Sequence, residues 1–186
     1  MKNAIKDIKL HFVMLLIFGL FFPLLILGVG LLFPFQAEGM PIYNNGRLIG
    51  FENIGQKFNS DKYFWGRPSA VEYNAAATGG SNKGPLNDDY LKKVKDRIDY
   101  FTLKNPTVKK NEIPSDLVTA SGSGIDPHIT LKAAYIQVNR IAKERNIKPQ
   151  TVIMLMKRNI EKPYLSMFGN KKVNVLKLNI ELDRLN

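Results

Sequence analysis

The sequence predicts an α+β protein: one N-terminal transmembrane helix followed by a single mixed α/β extracytoplasmic domain. Three observations carry that expectation. Phe12 to Phe35 (FVMLLIFGLFFPLLILGVGLLFPF) runs for 24 residues without a charge. Apolar residues then recur at helical spacing over 88–101 and 130–145, and 173–179 alternates apolar with polar as a strand does. A chain of 186 residues has room for one globular domain and hardly two.

The apolar run comes first. At 1.5 Å per residue it makes a helix of about 36 Å, against a hydrocarbon core of about 30 Å. A charge at the bilayer centre costs roughly 2.5–3.5 kcal/mol on insertion scales, and this run has none. Pro23, Gly28 and Gly30 are ordinary in membrane helices; Pro23 is a candidate kink, and the two glycines are too close for a GxxxG face. A cleaved signal needs a shorter apolar region and an A-x-A-like site. Here only Ala37 follows, and it would put Phe35 at the −3 position, where a small residue is needed. An uncleaved anchor is therefore expected. Lys2, Lys6 and Lys9 precede the run, opposed only by Asp7, and Glu38 follows it. The positive-inside rule then places 1–11 in the cytoplasm, 12–35 in the lipid bilayer of the plasma (inner) membrane, and 36–186 outside as one domain.

Within 36–186 the reading runs in order. Arg47–Ile54, led in by an Asn45-Gly46 turn, is a strand. Residues 56–85, rich in Gly, Asn, Ser and Ala after their aromatics, form a long ordered loop. Asp88–Phe101 places Leu91, Val94, Ile98 and Phe101 on one helical face, with Asn87 as N-cap. A loop covers 105–114. Thr130–Arg145 is a second helix with Ala134, Val138, Ile141 and Ala142 facing inward. Pro149 opens a third, reaching about Asn159. Val173–Asn179 closes the chain as a strand.

Composition excludes several chemistries. There is no cysteine and there are only two histidines, His11 and His128, so disulfides, thiolate metal sites, Fe–S clusters and cysteine nucleophiles are out. The exported part holds 24 Lys and Arg against 15 Asp and Glu. Most of these cations are interleaved with acids as on a solvated helix face, for example Lys92, Lys93, Lys95 and Arg97 among Asp88, Asp89, Asp96 and Asp99. No basic stripe with interleaved aromatics appears, so no nucleic-acid partner is expected. Gly79-Gly80-Ser81-Asn82-Lys83-Gly84-Pro85 lacks the G-K-[ST] ending of a phosphate loop and reads as a turn. Glu52, Asp61 and Glu72 show no pairing signal, and Phe58, Tyr63, Phe64 and Trp65 read as core or interface anchors. The densest cluster of reactive types is Ser121-Gly122-Ser123-Gly124-Ile125-Asp126-Pro127-His128. It has no G-x-S-x-G elbow, and its polar groups are expected to satisfy backbone in a turn. An extracytoplasmic hydrolase using Ser123, Asp126 and His128 is the alternative. No catalytic set and no metal site is expected.

Several segments together carry a resemblance: Gly55-Gln56-Lys57-Phe58, Tyr63-Phe64-Trp65-Gly66-Arg67-Pro68-Ser69-Ala70, Gly79 to Asn87, Asp116 to Ile129 with its VTASGSGIDPHI core, and Val173 to Asn179. With the single N-terminal span, they make the whole chain resemble the C-subunit family (KdpC) of the bacterial Kdp potassium-transporting P-type ATPases. The resemblance implies a non-catalytic accessory subunit beside an ATP-hydrolysing B subunit, a channel-like, potassium-binding A subunit and a small F subunit. It further implies a catalytic chaperone that raises the ATP affinity of the B subunit. ATP binding in the family is attributed to a Gln-Pro-Gly-Glu-type motif. Here that stretch reads Ile160-Glu161-Lys162-Pro163-Tyr164-Leu165, so ATP is expected as a cofactor of the complex rather than of this domain. The motif residues Arg67, Ser69, Ser81, Asn82, Ser121, Ser123, Asp126, His128 and Asn174 are the candidates for a site or an interface.

Overall fold

The computed structural model describes residues 2–44, 46–163 and 169–185, and it divides the chain into two compact units, Met1–Pro41 and Ile42–Asn186. In the first unit, α1 (Lys2–Leu16) runs through a π-helical turn, Ile17–Phe21, into α2 (Phe22–Leu32). Ala4–Leu32 is 29 residues long and apolar enough to cross a membrane. The π turn answers the proline. Pro23 cannot donate to the carbonyl four residues back, and its ring crowds that carbonyl. The ladder widens just before it, so that Phe22 N donates to Ile17 O, five residues earlier. Phe33 leaves the helical region (φ −129°, ψ 65°) because Pro34 follows it, and Pro34 opens the short α3 (Pro34–Ala37).

The second unit begins with a two-stranded sheet, β1 (Pro41–Asn44) and β2 (Arg47–Phe51). Of the expected turn, Gly46 has φ +76°, and Asn45 lies outside the described residues. β2 stops at Phe51 rather than Ile54, because Ile54 N turns back to Phe51 O at 3.1 Å. Residues 52–87 contain no helix or strand and are held by short turns such as Tyr63 N to Ser60 O and Asn87 N to Gly84 O. α4 (Asp88–Lys104) then starts where expected. The Asn87 side chain accepts from Tyr90 N, and Asp88 and Asp89 occupy the first turn, where the helix dipole favours anions. The helix runs three residues past Phe101. Phe101 is buried and Val94 and Ile98 pack against the core, whereas Leu91 faces solvent.

Two 3₁₀ turns, Lys110–Glu112 and Ser115–Leu117, cross the loop before β3 (His128–Thr130). The single helix expected over 130–145 is two. Thr130 caps α5 (Leu131–Tyr135) by accepting from Ala133 N, and α6 follows at Val138–Glu144. Between them Gln137 N bonds three residues back, to Ala134 O. α7 (Pro149–Arg158) has Pro149 in its first turn and buries Val152, Leu155 and Met156. β4 (Ile160–Glu161) and β5 (Lys172–Asn174) complete an antiparallel sheet in the order β3-β5-β4, in which Val173 faces both Ile129 and Ile160.

The terminal strand expected over 173–179 is corrected. Only Lys172–Asn174 is extended, and α8 (Val175–Asp183) follows at once. Asn174 Oδ1 accepts from Lys177 N, a helix N-cap rather than a strand position. The apolar run continues past 179, so that Val175, Leu178 and Leu182 make a buried helical stripe. With Phe64, Ile129, Ile141, Val152 and Val173 they form the core between sheet and helices.

Candidate functional site

The resembling segments, far apart in sequence, are bolted together by main-chain hydrogen bonds on the 118–129 stretch. Ser121 N donates to Pro68 O at 3.0 Å, Gly79 N to Ser123 O at 2.9 Å, Gly55 N to Ile125 O at 2.7 Å and Val175 N to Pro127 O at 2.9 Å. Two glycines make this approach possible. A Cβ on Gly55 would stand 2.5 Å from Asp126 O. One on Gly124, whose φ is +73°, would stand 2.4 Å from Val71 Cγ2 and 2.7 Å from Gly79 O.

A chain of charged groups lies along this junction. Arg67 Nη1 donates to Asp126 Oδ2 at 3.0 Å, and Asp126 Oδ1 accepts from His128 N at 3.0 Å. His128 Nδ1 is 3.6 Å from Asp126 Oδ1, its Nε2 is 3.0 Å from Glu161 Oε2, and Lys172 Nζ is 3.3 Å from Nδ1. Burial works against the Asp126 carboxylate, but hydrogen bonds from the His128 side chain and backbone and from Arg67 outweigh it and hold its pKa at about 2. Asp126 and His128 do meet across Pro127, and β4 adds Glu161 to them.

A second polar arrangement lies in the core. The Gln137 side chain clamps Trp65: its Oε1 accepts from Trp65 N at 2.8 Å while its Nε2 donates to Trp65 O at 3.2 Å and to Ala133 O at 3.1 Å. Asn179 does the same for Phe64, accepting from its N at 2.8 Å and donating to its O at 2.9 Å. Arg140, only 6% exposed, stacks 4.0 Å from the Trp65 ring and donates to Gln137 Oε1, Asn105 Oδ1 and Asp61 O. Burial lowers its pKa to about 10, still far above neutrality. Tyr100 stacks on Trp65 at 5.6 Å. The aromatic strip is thereby bonded like a strand, with side-chain amides supplying the ladder.

A cavity of about 470 Å³ opens beside it, walled by Phe58, Trp65, Tyr73, Tyr100 and Phe101 with Arg97 on its rim. A second, of about 360 Å³, shares Ser69, Glu72 and Arg97 with the first and adds Ser81, Lys83 and Lys93.

The nine candidate residues divide into four groups. Arg67, Asp126 and His128 share the charged chain. Ser69 Oγ accepts from Val71 N and Tyr73 N, Ser121 Oγ from Gly124 N, and Ser123 Oγ from Ile125 N. Asn174 is buried, caps α8 and donates to Glu52 O at 2.7 Å. Ser81 and Asn82 are exposed on the Gly-rich loop, Asn82 with φ +50°. No hydrogen bond joins Ser121 or Ser123 to His128 among the described residues, so the geometry gives the hydrolase alternative no support. Among the described residues no group of three or more His, Asp or Glu side chains is arranged to hold a metal. Of the stretch Ile160–Leu165, Ile160 and Glu161 form β4, and Tyr164 and Leu165 lie outside the described residues. Sequence reasoning missed Gln137, Arg140, Asn105, Glu161 and Lys172. For the first a signal existed: Gln137 is a polar residue on the same helical face as Ala134, Val138 and Ile141.

The family model described as KdpC, K+-transporting ATPase, c chain, matches residues 4–184. The chain belongs to the KdpC family. It is similar to the potassium-transporting ATPase KdpC subunits of Flavobacterium psychrophilum, 48% identical over 185 residues, and of Flavobacterium johnsoniae, 49% identical over 185 residues, with both chains fully covered in each case. The KdpC subunit of Caldanaerobacter subterraneus is 46% identical over 178 residues, covering 95% of this chain and 92% of that one. In this chain the motif residues Ser69, Ser121, Ser123, Asp126 and Asn174 fasten main chain of the domain itself.

Proposed function

We propose that this chain is a non-catalytic subunit of a Kdp potassium-transporting ATPase, assembled with the ATP-hydrolysing B subunit, the channel-like A subunit and the small F subunit. The family match over residues 4–184 is the observation that carries the reading. Ala4–Leu32 anchors the chain in the plasma membrane with its amino terminus in the cytoplasm, in keeping with Lys2, Lys6 and Lys9 before the apolar run. The domain sits over the extracellular mouth of the A subunit and raises the ATP affinity of the B subunit through the assembly. ATP acts at the B subunit, since this chain carries no phosphate loop and no Gln-Pro-Gly-Glu stretch. Support for a scaffold role comes from Ser121, Ser123, Asp126 and Asn174, whose side chains each hold main chain of the domain itself.

The test is purification through a carboxyl-terminal tag in mild detergent, with mass spectrometry of whatever accompanies the chain. A P-type ATPase and a polytopic channel-like subunit in fixed ratio are expected. Recovery of the chain alone, under conditions that keep other membrane complexes intact, would overturn the proposal.

A further inference from the structure

The cations of the second unit are unevenly compensated. α4 carries five cations and four acids in one helix, and ion pairs tie Lys83 to Asp89, Lys104 to Asp61 and Lys110 to Asp99. Residues 157–172 differ: Lys157, Arg158, Lys162, Lys171 and Lys172 stand against the single acid Glu161. That acid is already engaged by His128 and Lys172. All five cations are exposed, and among the described residues Lys157, Arg158, Lys162 and Lys171 form no ion pair.

The fold gathers them. Glu161 pairs with Lys172 at the end of the β4–β5 ladder, so Lys162 and Lys171 lie just beyond the paired ends of the two strands. Lys157 and Arg158 end α7, one tight turn before β4, on a helix whose inward face is Val152, Leu155 and Met156. Lys157 and Arg158 complement the carbonyl end of that helix. Lys162 and Lys171 do not serve a helix end and have no ion-pair partner among the described residues.

We propose that this basic edge is a docking surface for anionic lipid headgroups of the bilayer that holds the N-terminal span. Two observations select lipid over an acidic protein. Four of the five cations are lysines, which are strongly hydrated point charges suited to diffuse headgroup attraction, whereas protein interfaces are depleted in Lys and enriched in Arg. The tether is also short. Only residues 38–41 separate α3 from the second unit, a reach of at most about 19 Å. Docking is therefore intramolecular, at high effective concentration. Each Lys or Arg near an anionic surface contributes roughly fivefold to the docking equilibrium, equivalent to about 1 kcal/mol. The residues 164–168 are not part of the proposed surface.

The proposal rests on the span being a retained membrane anchor, and the experiment separates the two. The native chain lacks cysteine, so Asn170→Cys and, as a control on α4, Leu103→Cys each give one fluorophore on the full-length chain. The chain is reconstituted into vesicles of phosphatidylcholine with or without about 30% phosphatidylglycerol, carrying a headgroup quencher. Quenching at position 170 but not 103, only in the anionic vesicles, is expected. It should disappear at about 0.5 M salt. Combining Lys157→Gln, Arg158→Gln, Lys162→Gln and Lys171→Gln should weaken docking by roughly several hundredfold. Equal signals in neutral vesicles, or signals unchanged by the four substitutions, would overturn lipid docking while leaving the anchor standing. So would unquenched label together with loss of partner subunits from the purified four-substitution complex, which would reassign the edge to a protein. Failure of the chain to float with vesicles would remove the anchor and the proposal together.

Discussion

Two polar networks of the domain differ in kind. Around Trp65, the clamp of Gln137, Asn179, Asn105 and Arg140 is buried, with both amide clamps closed on main chain. Along the motif junction, the Arg67–Asp126–His128–Glu161 chain is partly open to water, with Arg67 and Asp126 side chains 27% and 29% exposed. Among the described residues it also leaves Arg67 Nε buried without a hydrogen-bond partner. The difference teaches where stability and where tolerance should lie. A buried backbone group that loses its only partner costs its full desolvation, while a half-exposed ion pair is replaced in part by solvent.

The sharpest break in that comparison is Gln137→Leu, which keeps the side-chain volume and removes both bonds to Trp65. The two orphaned Trp65 main-chain groups should cost at least about 3 kcal/mol, with Ala133 O and Arg140 Nη2 each losing a bond as well, read as a lower urea midpoint for the full chain in detergent. A loss under about 1 kcal/mol would mean that water or a shifted neighbour replaces the clamp. An intermediate effect is expected for Asp126→Asn. The folded carboxylate titrates at about 2 instead of its ordinary 3.8, so its stabilisation is complete above the ordinary value and is lost as pH falls through the folded one. After allowance for solvent screening, about 1 kcal/mol should separate the two proteins at neutral pH. Their unfolding midpoints should converge near pH 2; a gap that persists there would mean that shape, not charge, is what the substitution removed. The smallest effect belongs to Ser123→Ala. It removes one exposed hydrogen bond to Ile125 N, and should cost about 0.5 kcal/mol or less while leaving assembly with partner subunits unchanged. Loss of assembly in that variant would move Ser123 from loop fastening to the interface.

The two networks were unequally legible. Asp126 and His128 stood together in a dense motif, and their local roles in a turn could be read from residue type. Glu161 could not, because it arrives from β4 through a ladder that three- and two-residue strands give no periodicity to announce. Gln137 was visible only as a polar interruption of an apolar stripe, and such an interruption does not say which backbone it will satisfy. The tail from Val173 was misread for a related reason. Over seven residues alternation imitates a strand, and only the Asn174 cap and the apolar positions beyond Asn179 show that the chain turns helical.

By itself the sequence determined the long apolar N-terminal helix, because 24 residues without a charge are long and apolar enough to cross a membrane. It determined α4 and α7 through their caps and first-turn residues, which act within a few positions of the chain. It also determined the family, through motifs long enough to be specific. Tertiary structure alone decided what the motifs do for the fold: which carbonyl Gly55 approaches, which carboxylate neutralises Arg67, which amide closes on Trp65. Those choices depend on close contacts between segments 59 to 72 residues apart, where burial raises the cost of an unpaired group and so fixes the partner. The same packing left Lys157, Arg158, Lys162 and Lys171 without an ion pair among the described residues, an asymmetry that net charge alone does not contain.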